Sequence, residues 1–394
     1  MPDVAGVRLA SAHSGMRYKN RDDVFLAVFP EGTSVAGCFT KNKMPGEPVK
    51  WGRAILPSGK ARGLVVNAGY ANVWTGEQGY AVVEETAAAA ASLIGCSKEE
   101  IHISSTGIIG EQIKKEKLLG VLPGLYRNLS EKKWEEAARA FMTTDTFPKG
   151  VTKQAKIGNA KVNINGILKG SGMVAPNMAT ALCFVFTDAK IPAPILQQLI
   201  SGAVDKSLNS TTVDGDTSTS DTCLVFATGQ VKHEEISAIE QDGFADFKRA
   251  FNELMVELAH LLVKDGEGIS KFVTINIKGA ITAQSARIIG LSIANSPLVK
   301  TAIAAQDPNW GRIVAAIGKS GEPIKETVDI WIGDELVAIN GSLNPNYKEA
   351  NAAEHMKNPE INITVDVDSG DAEATVWTCD LTEEYIKINA NYRS

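Results

Sequence analysis

What the chain lacks narrows its class first. Crossing a bilayer takes about 20 consecutive apolar residues, and the longest apolar runs here, 87–94 and 182–186, fall far short. No membrane span is expected. The opening Met-Pro-Asp-Val-Ala-Gly-Val-Arg-Leu-Ala has neither the charged head and apolar core of a signal peptide nor the Arg/Ser-rich character of a transit peptide. A cytoplasmic address is expected. Basic residues are the minority charge, 40 against 46 acidic, with a formal net charge of −6 and no Lys/Arg block. That excludes a nucleic-acid or anionic-membrane face and leaves a small molecule as the expected partner.

Cysteine is scarce as well. The five residues Cys38, Cys96, Cys183, Cys223 and Cys379 are odd in number and widely spread, which fits buried reduced thiols rather than bridges or metal ligands. The five histidines, His13, His102, His233, His260 and His355, are scattered. The acidic cluster Asp214-Gly-Asp216 with Asp221 has no His nearby in sequence, and the neighbouring Cys223 belongs to an apolar run, so no metal site is expected. Also missing are a Gly-x-Ser-x-Gly elbow, a His-Glu-x-x-His pair, a Walker loop and a Gly-x-Gly-x-x-Gly turn opening a helix.

What is present describes an ordinary globular chain. Its 394 residues are 44% hydrophobic and 22% charged, enough for one large or two closely joined domains around a substantial core. Apolar, β-branched runs bounded by Gly, Asn, Asp or Lys predict strands at 63–67, 101–105, 162–168, 182–187, 222–228, 272–277, 328–332, 361–367 and 374–379. Helical spacing predicts helices at 81–94, 132–142, 194–204 and 244–263. In the last of these Phe247, Phe251, Leu254, Leu258 and Leu261 recur every three or four residues, an apolar stripe suited to covering a sheet. Strands and helices do not alternate strictly, so layered α+β sandwiches are expected rather than a doubly wound parallel sheet.

Two tracts rich in small and polar residues, 169–180 and 214–222, run directly into strand-like segments, the kind of loop on which sites sit. Spacing alone makes Thr180 a β-branched residue opening a strand. Catalysis there needs a further premise. A threonine hydroxyl is a weak nucleophile without a base, and a cut before it frees an α-amine of reference pKa about 7.7–8.0 that can act as that base. A second candidate is Ile103-Ser-Ser-Thr106-Gly107-Ile-Ile-Gly110, a strand entering a turn that can present donors to an oxyanion or be a plain strand-to-turn transition.

Seven ordered motifs then resemble the ornithine acetyltransferase family, the bifunctional glutamate N-acetyltransferases of arginine biosynthesis, over essentially the whole chain. They are Ser105-Thr-Gly-Ile-Ile-Gly110, Met142-Thr-Thr-Asp-Thr146, Lys169-Gly-Ser-Gly-Met173 with Ala175-Pro-Asn-Met-Ala-Thr180, Val213-Asp-Gly-Asp-Thr-Ser-Thr219, Lys264-Asp-Gly-Glu267-Gly, Asp307-Pro-Asn-Trp-Gly-Arg312 and Cys379-Asp-Leu-Thr382. The resemblance implies self-cleavage between Ala179 and Thr180. It would give an α chain of residues 1–179 carrying the oxyanion hole and a β chain of residues 180–394 that opens with the nucleophile Thr180, associated as an α2β2 heterotetramer. It further implies oxyanion stabilisers at Thr106 and Gly107, and substrate contacts at Thr143, Lys169, Thr180, Glu267, Asn389 and Ser394.

The implied fold is an αββα sandwich resembling, but topologically distinct from, N-terminal nucleophile hydrolases. The implied reaction is ping-pong transfer of acetyl from N2-acetylornithine to glutamate through an acetyl-threonine. No cofactor is expected, and acetyl-CoA enters as a substrate only if the enzyme is bifunctional. A hydrolase of similar architecture and a small-molecule binding protein that never cleaves are the rivals. Two positions depart from the family pattern. Tyr70 stands where asparagine is more usual, and Glu47 where small apolar residues are common; a pocket or interface altered by Tyr70 is the expectation. The Asp307–Arg312 motif is expected to shape a turn and bury Trp310, and the 214–221 tract to cap helix N-termini and satisfy backbone donors.

Overall fold

The run Val24-Phe-Leu-Ala-Val28 has no solvent face. Phe25 and Ala27 enter one hydrophobic cluster, while Val24, Leu26 and Val28 enter another. A strand whose alternate residues are buried on opposite sides must lie inside a layered structure, and the computed structural model, which describes residues 1–175 and 181–391, shows those layers. Contacts divide the chain into two compact units: the described residues of Met1–Gly170, Asn177–Asn209 and Thr217–Leu262 form the first, and those of Ser171–Pro176, Ser210–Asp216 and Val263–Ser394 the second.

The first unit holds two sheets. One is ordered Arg8–Ala12, Val24–Val28, Gly63–Tyr70, Ile101–Ile108, and the other Ser34–Phe39, Thr222–Ala227, Leu182–Thr187, Ala160–Lys169, Lys149–Ile157. They pack face to face through Phe25, Phe29, Leu64 and Val66 of the first against Ile167, Phe184, Phe186 and Phe226 of the second. Phe29 and Phe226 stack at 4.6 Å between ring centroids, and Phe25 meets Phe184 edge-on at 5.9 Å. Such offset and edge contacts add to the area they bury.

Helices Glu47–Ile55, Gly76–Ile94 and Lys115–Arg127 cover the outer face of the first sheet with Trp51, Val82, Val83, Leu118 and Leu122. On the second sheet, Leu254 and Leu258 of the helix Ala245–Lys264 press on Gly166, where a Cβ would stand 2.7 Å from a Leu258 methyl. Gln197, on the helix Ala193–Asp205, pairs with both the N–H (3.1 Å) and the C=O (3.0 Å) of Gly37. It thereby occupies the open edge of that sheet. The αββα layering expected from the resemblance is present in this unit.

The second unit is a six-stranded mixed sheet, ordered Ser342–Leu343, Glu335–Ile339, Asp329–Ile332, Glu360–Asp366, Phe272–Ala280, Ala372–Cys379. Ile275, Ile277, Ile330, Ile363 and Val365 pack with Ile289, Ile293, Ile313 and Ile317 of the helices Ala283–Ala294 and Trp310–Gly318. Asn309 caps the latter, its side chain accepting from Arg312 N, and Trp310 leans on the cluster. The Asp307–Arg312 motif is therefore a turn that opens a helix, with Trp310 half-buried rather than buried.

All nine strands and all four helices expected from the sequence are found, with ends shifted by a few residues. Four cysteines are buried and Cys96 is half-buried, all as free thiols. No helix among the described residues is long and apolar enough to cross a membrane.

Candidate active site

The oxyanion candidates sit where two parallel strands come unusually close. Gly63–Tyr70 and Ile101–Ile108 pair in register, with Gly69 opposite Gly107, and both glycines have left-handed φ, 98° and 128°. A Cβ on Gly107 would lie 2.3 Å from the carbonyl carbon of Gly69, so only glycine fits. Two residues earlier, Asn67 fixes the same strand pair. Its Oδ1 accepts from Ser105 Oγ at 2.6 Å while its Nδ2 donates to Tyr70 O at 3.0 Å. Thr106, between these two constraints, is buried.

Lys169 ends the strand Ala160–Lys169, which pairs antiparallel with Leu182–Thr187, Lys169 facing Leu182. Its Nζ lies 3.5 Å from Thr106 Oγ1 and 3.9 Å from Asp145 Oδ2. Asp145 ties the set together. Its Oδ1 accepts from Lys149 Nζ and from Gly170 N, both at 2.7 Å, and its Oδ2 accepts from Thr143 N at 3.0 Å. Thr106, Thr143 and Lys169, nominated separately by the resemblance, are thus brought together around a carboxylate that was not nominated.

The side chains of Asp145 and Lys149 are both fully buried. Burial opposes ionisation of Asp145, but the charges of Lys169 and Lys149, with hydrogen bonds from Lys149 and Thr143, outweigh it and hold the carboxyl at about 2. Asp221, immediately before the strand Thr222–Ala227, is also buried. Burial pushes its carboxyl well above the usual carboxylate range, against the opposing pull of a Ser218 hydrogen bond and the Lys169 charge. The positive charges of Lys149 and Lys169 gather at Asp145 beside Thr106, an arrangement that suits a bound carboxylate or an oxyanion.

In the second unit Glu267 is buried, and its Oε2 accepts from Asn389 Nδ2 at 2.8 Å. Its N–H donates to Ser171 O at 2.9 Å, and Gly172 packs so closely on its carboxylate that a Cβ there would stand 2.4 Å from Glu267 Cδ. Asn389 lies on the helix Glu383–Ala390, which Thr382 caps by accepting from Glu384 N at 3.2 Å. The next glycine, Gly268 (φ 68°), leaves 2.4 Å between an added Cβ and Tyr385 N, so this helix seats directly on the Glu267 turn. Asp214 accepts from the N–H groups of Met173, Val174 and Asp216, the satisfying of backbone donors expected for that tract.

Thr106, Gly107, Thr143 and Lys169 belong to the first unit, and Glu267 and Asn389 to the second. Ala179, Thr180 and Ser394 lie outside the described residues. Among the described residues no group of three or more His, Cys, Asp or Glu side chains could hold a metal ion.

Tyr70, the departure from the family pattern, points into the core between sheet and helices, with 5% of its surface exposed and its hydroxyl donating to Met16 O at 3.3 Å. It therefore lines no open interface. Glu47 is buried in the first turn of its helix and pairs with Lys50 at 2.8 Å.

Residues 8–394 match the family model described as the ArgJ family. The chain is 51% identical to the arginine biosynthesis bifunctional protein ArgJ of Bradyrhizobium diazoefficiens, covering 100% of this chain and 96% of that protein. To the protein of the same name from Gluconobacter oxydans it is 49% identical, covering 100% and 94%. Among solved structures, the arginine biosynthesis bifunctional protein argJ of Bacillus halodurans superposes with a TM-score of 0.50 at 37% identity, over 52% of this chain and 96% of that one. With its motifs matched from end to end by that family's model and by such relatives, the chain belongs to the ArgJ family.

Proposed function

We propose that this chain is a glutamate N-acetyltransferase of arginine biosynthesis, which carries acetyl from N2-acetylornithine to glutamate on the N-terminal threonine created by its own cleavage between Ala179 and Thr180. The observation that carries the proposal is the cluster of Lys169, Thr106 and Thr143 around Asp145, next to the glycine pair Gly69 and Gly107. It joins a fixed positive charge, a hydroxyl and a close-packed backbone turn, the parts an acyl-transfer site uses to bind an anion and stabilise an oxyanion.

In the first half-reaction Thr180 Oγ attacks the acetyl carbonyl while its own α-amine takes the hydroxyl proton. The resulting oxyanion is met by the Thr106 hydroxyl and the Gly107 N–H. Collapse breaks the amide C–N bond, and the proton held by the amine passes to ornithine as it leaves. Glutamate's amine then attacks the acetyl-threonine, Thr180 recovers its proton, and N-acetylglutamate departs. No step calls for a metal or redox cofactor. Acetyl-CoA enters only as the donor in a second activity, in keeping with the word bifunctional in the relatives' names. Lys169 and Thr143 suit a substrate carboxylate; Glu267 and Asn389, with Ser394, suit an ammonium and a carboxylate respectively.

After the cut, the α chain 1–179 and the β chain 180–394 both supply strands to one five-stranded sheet, which supports their staying associated; we read the enzyme as a cytoplasmic α2β2 assembly. The test is one gel and one assay. The purified chain should run as two denatured bands and form N-acetylglutamate from N-acetylornithine only when glutamate is supplied, while Thr180→Ala should run as one band and be inactive. An intact wild-type chain that transfers acetyl at full rate would rule out the N-terminal amine mechanism. Acetate release at the same rate without glutamate would make the protein a hydrolase.

A further inference from the structure

Of the segment leading to the proposed cut, Met173 and Val174 are held by the Asp214 side chain. Asp214 Oδ2 accepts from Met173 N at 2.7 Å and Oδ1 from Val174 N at 2.9 Å. Oδ1 also accepts from Asp216 N at 3.2 Å, and Tyr385 Oη donates to Oδ2 at 3.3 Å. Val174 is fastened on its other side too, its carbonyl accepting from Val213 N at 2.9 Å and Thr212 Oγ1 at 3.0 Å. Between these bonds Met173 adopts a left-handed backbone, φ 55°, although its side chain is 44% exposed and meets no packing demand that would impose it. Non-glycine residues enter that region only when their surroundings enforce it. Here the enforcement is the carboxylate that collects two consecutive N–H groups.

We infer that Asp214 is a positioning residue for self-cleavage: by gripping Met173 and Val174 it fixes the direction in which the chain leaves Val174 for the Ala179–Thr180 bond. This rests on the cleavage reading above. In that step Thr180 Oγ attacks the Ala179 carbonyl carbon, the peptide C–N bond breaks as the amine takes the hydroxyl proton, and an ester joins the two residues. Water then cleaves the ester, leaving an Ala179 carboxylate and a free threonine hydroxyl and amine. The chemistry needs a set approach at one peptide, and a clamp on Met173 and Val174 narrows the paths the chain can take towards it.

Strain at Met173 and stability of the fold can be separated. Asp214→Asn keeps the shape but turns an NH2 toward one of the two N–H groups, so Met173 is no longer held. Timed cell-free synthesis of the full chain, followed on denaturing gels, should show Asp214→Asn cutting at least tenfold more slowly than wild type. Adding Met173→Gly, which adopts left-handed φ without cost, should bring the double variant back to within about threefold. Met173→Val, β-branched and opposed to that φ, should slow cutting with Asp214 intact and the melting temperature unchanged.

Wild-type cutting by Asp214→Asn overturns the inference, as does a folded Asp214→Asn chain that Met173→Gly fails to rescue. Should Asp214→Asn not fold, Met173→Val decides alone, and wild-type cutting by it overturns the inference. A wild-type chain that never cuts defeats the cleavage reading instead.

Discussion

Asp145 and Lys149 form an ion pair at 2.7 Å with neither side chain exposed to solvent. Such a pair contributes little when intact, but removing one partner strands the other charge in the interior at a cost of about 3–5 kcal/mol. Lys169 depends on the same carboxylate. Asp145→Asn is therefore expected to lower the unfolding free energy by that amount in denaturant titrations and to weaken acetyl transfer through the freed Lys169. The pH dependence has a definite sign. The Asp145 carboxyl titrates lower in the folded state, at about 2, than its ordinary value of 3.8. Its stabilisation is thus complete above about pH 4 and lost as pH falls towards 2. Stability measured over that window should fall less steeply in Asp145→Asn than in wild type. Equal slopes would remove Asp145 from the acid response.

Gly107→Ala puts a Cβ against the Gly69 backbone, which cannot swing aside as a side chain would. The two strands must separate, and the donor turn moves with them. Loss of one oxyanion donor costs about 10²–10³ in kcat, and a loss of that size with nearly constant KM is the expected outcome in steady-state assays. A KM change alone would place Gly107 in substrate binding.

Tyr70→Asn restores the residue more usual in the family at a site that is core here. An aromatic-to-small change in such packing costs about 3 kcal/mol, so thermal melts should show a clear loss of stability. The ratio of kcat/KM values for acetylated ornithine and other acetylated amino acids should stay unchanged. An altered ratio would mean that Tyr70 does shape the pocket.

The strands were legible because several are apolar on both faces, as 182–187 and 222–227 are, and such runs mark themselves. The Val24–Val28 strand has the same character but is only five residues long, and short apolar runs do not separate strand from helix. The stripe of the helix Ala283–Ala294 is thinned by alanine and glycine, while Trp310–Gly318, though clearly striped, is only nine residues long, too short for periodicity to declare it. At the site, Thr106, Gly107, Thr143 and Lys169 follow from the family resemblance; Asp145 lies inside the motif Met142–Thr146, where the resemblance assigns a role only to Thr143. The function of Asp145 depends on meeting Lys169 and Lys149 in space, which no local spacing encodes. The grip of Asp214 on Met173 likewise joins segments distant in sequence.

The strand order of the five-stranded sheet has one further consequence. Leu182–Thr187 and Thr222–Ala227 lie between Ser34–Phe39 on one side and Ala160–Lys169 on the other, so the later piece of a chain cut at residue 180 would fill the middle of a sheet whose flanks belong to the earlier piece. Assembly of that sheet is a one-body event while the chain is whole and a two-body event afterwards. The uncut chain can recover its fold at any dilution, whereas a chain cut there, once unfolded, would have to find its other half.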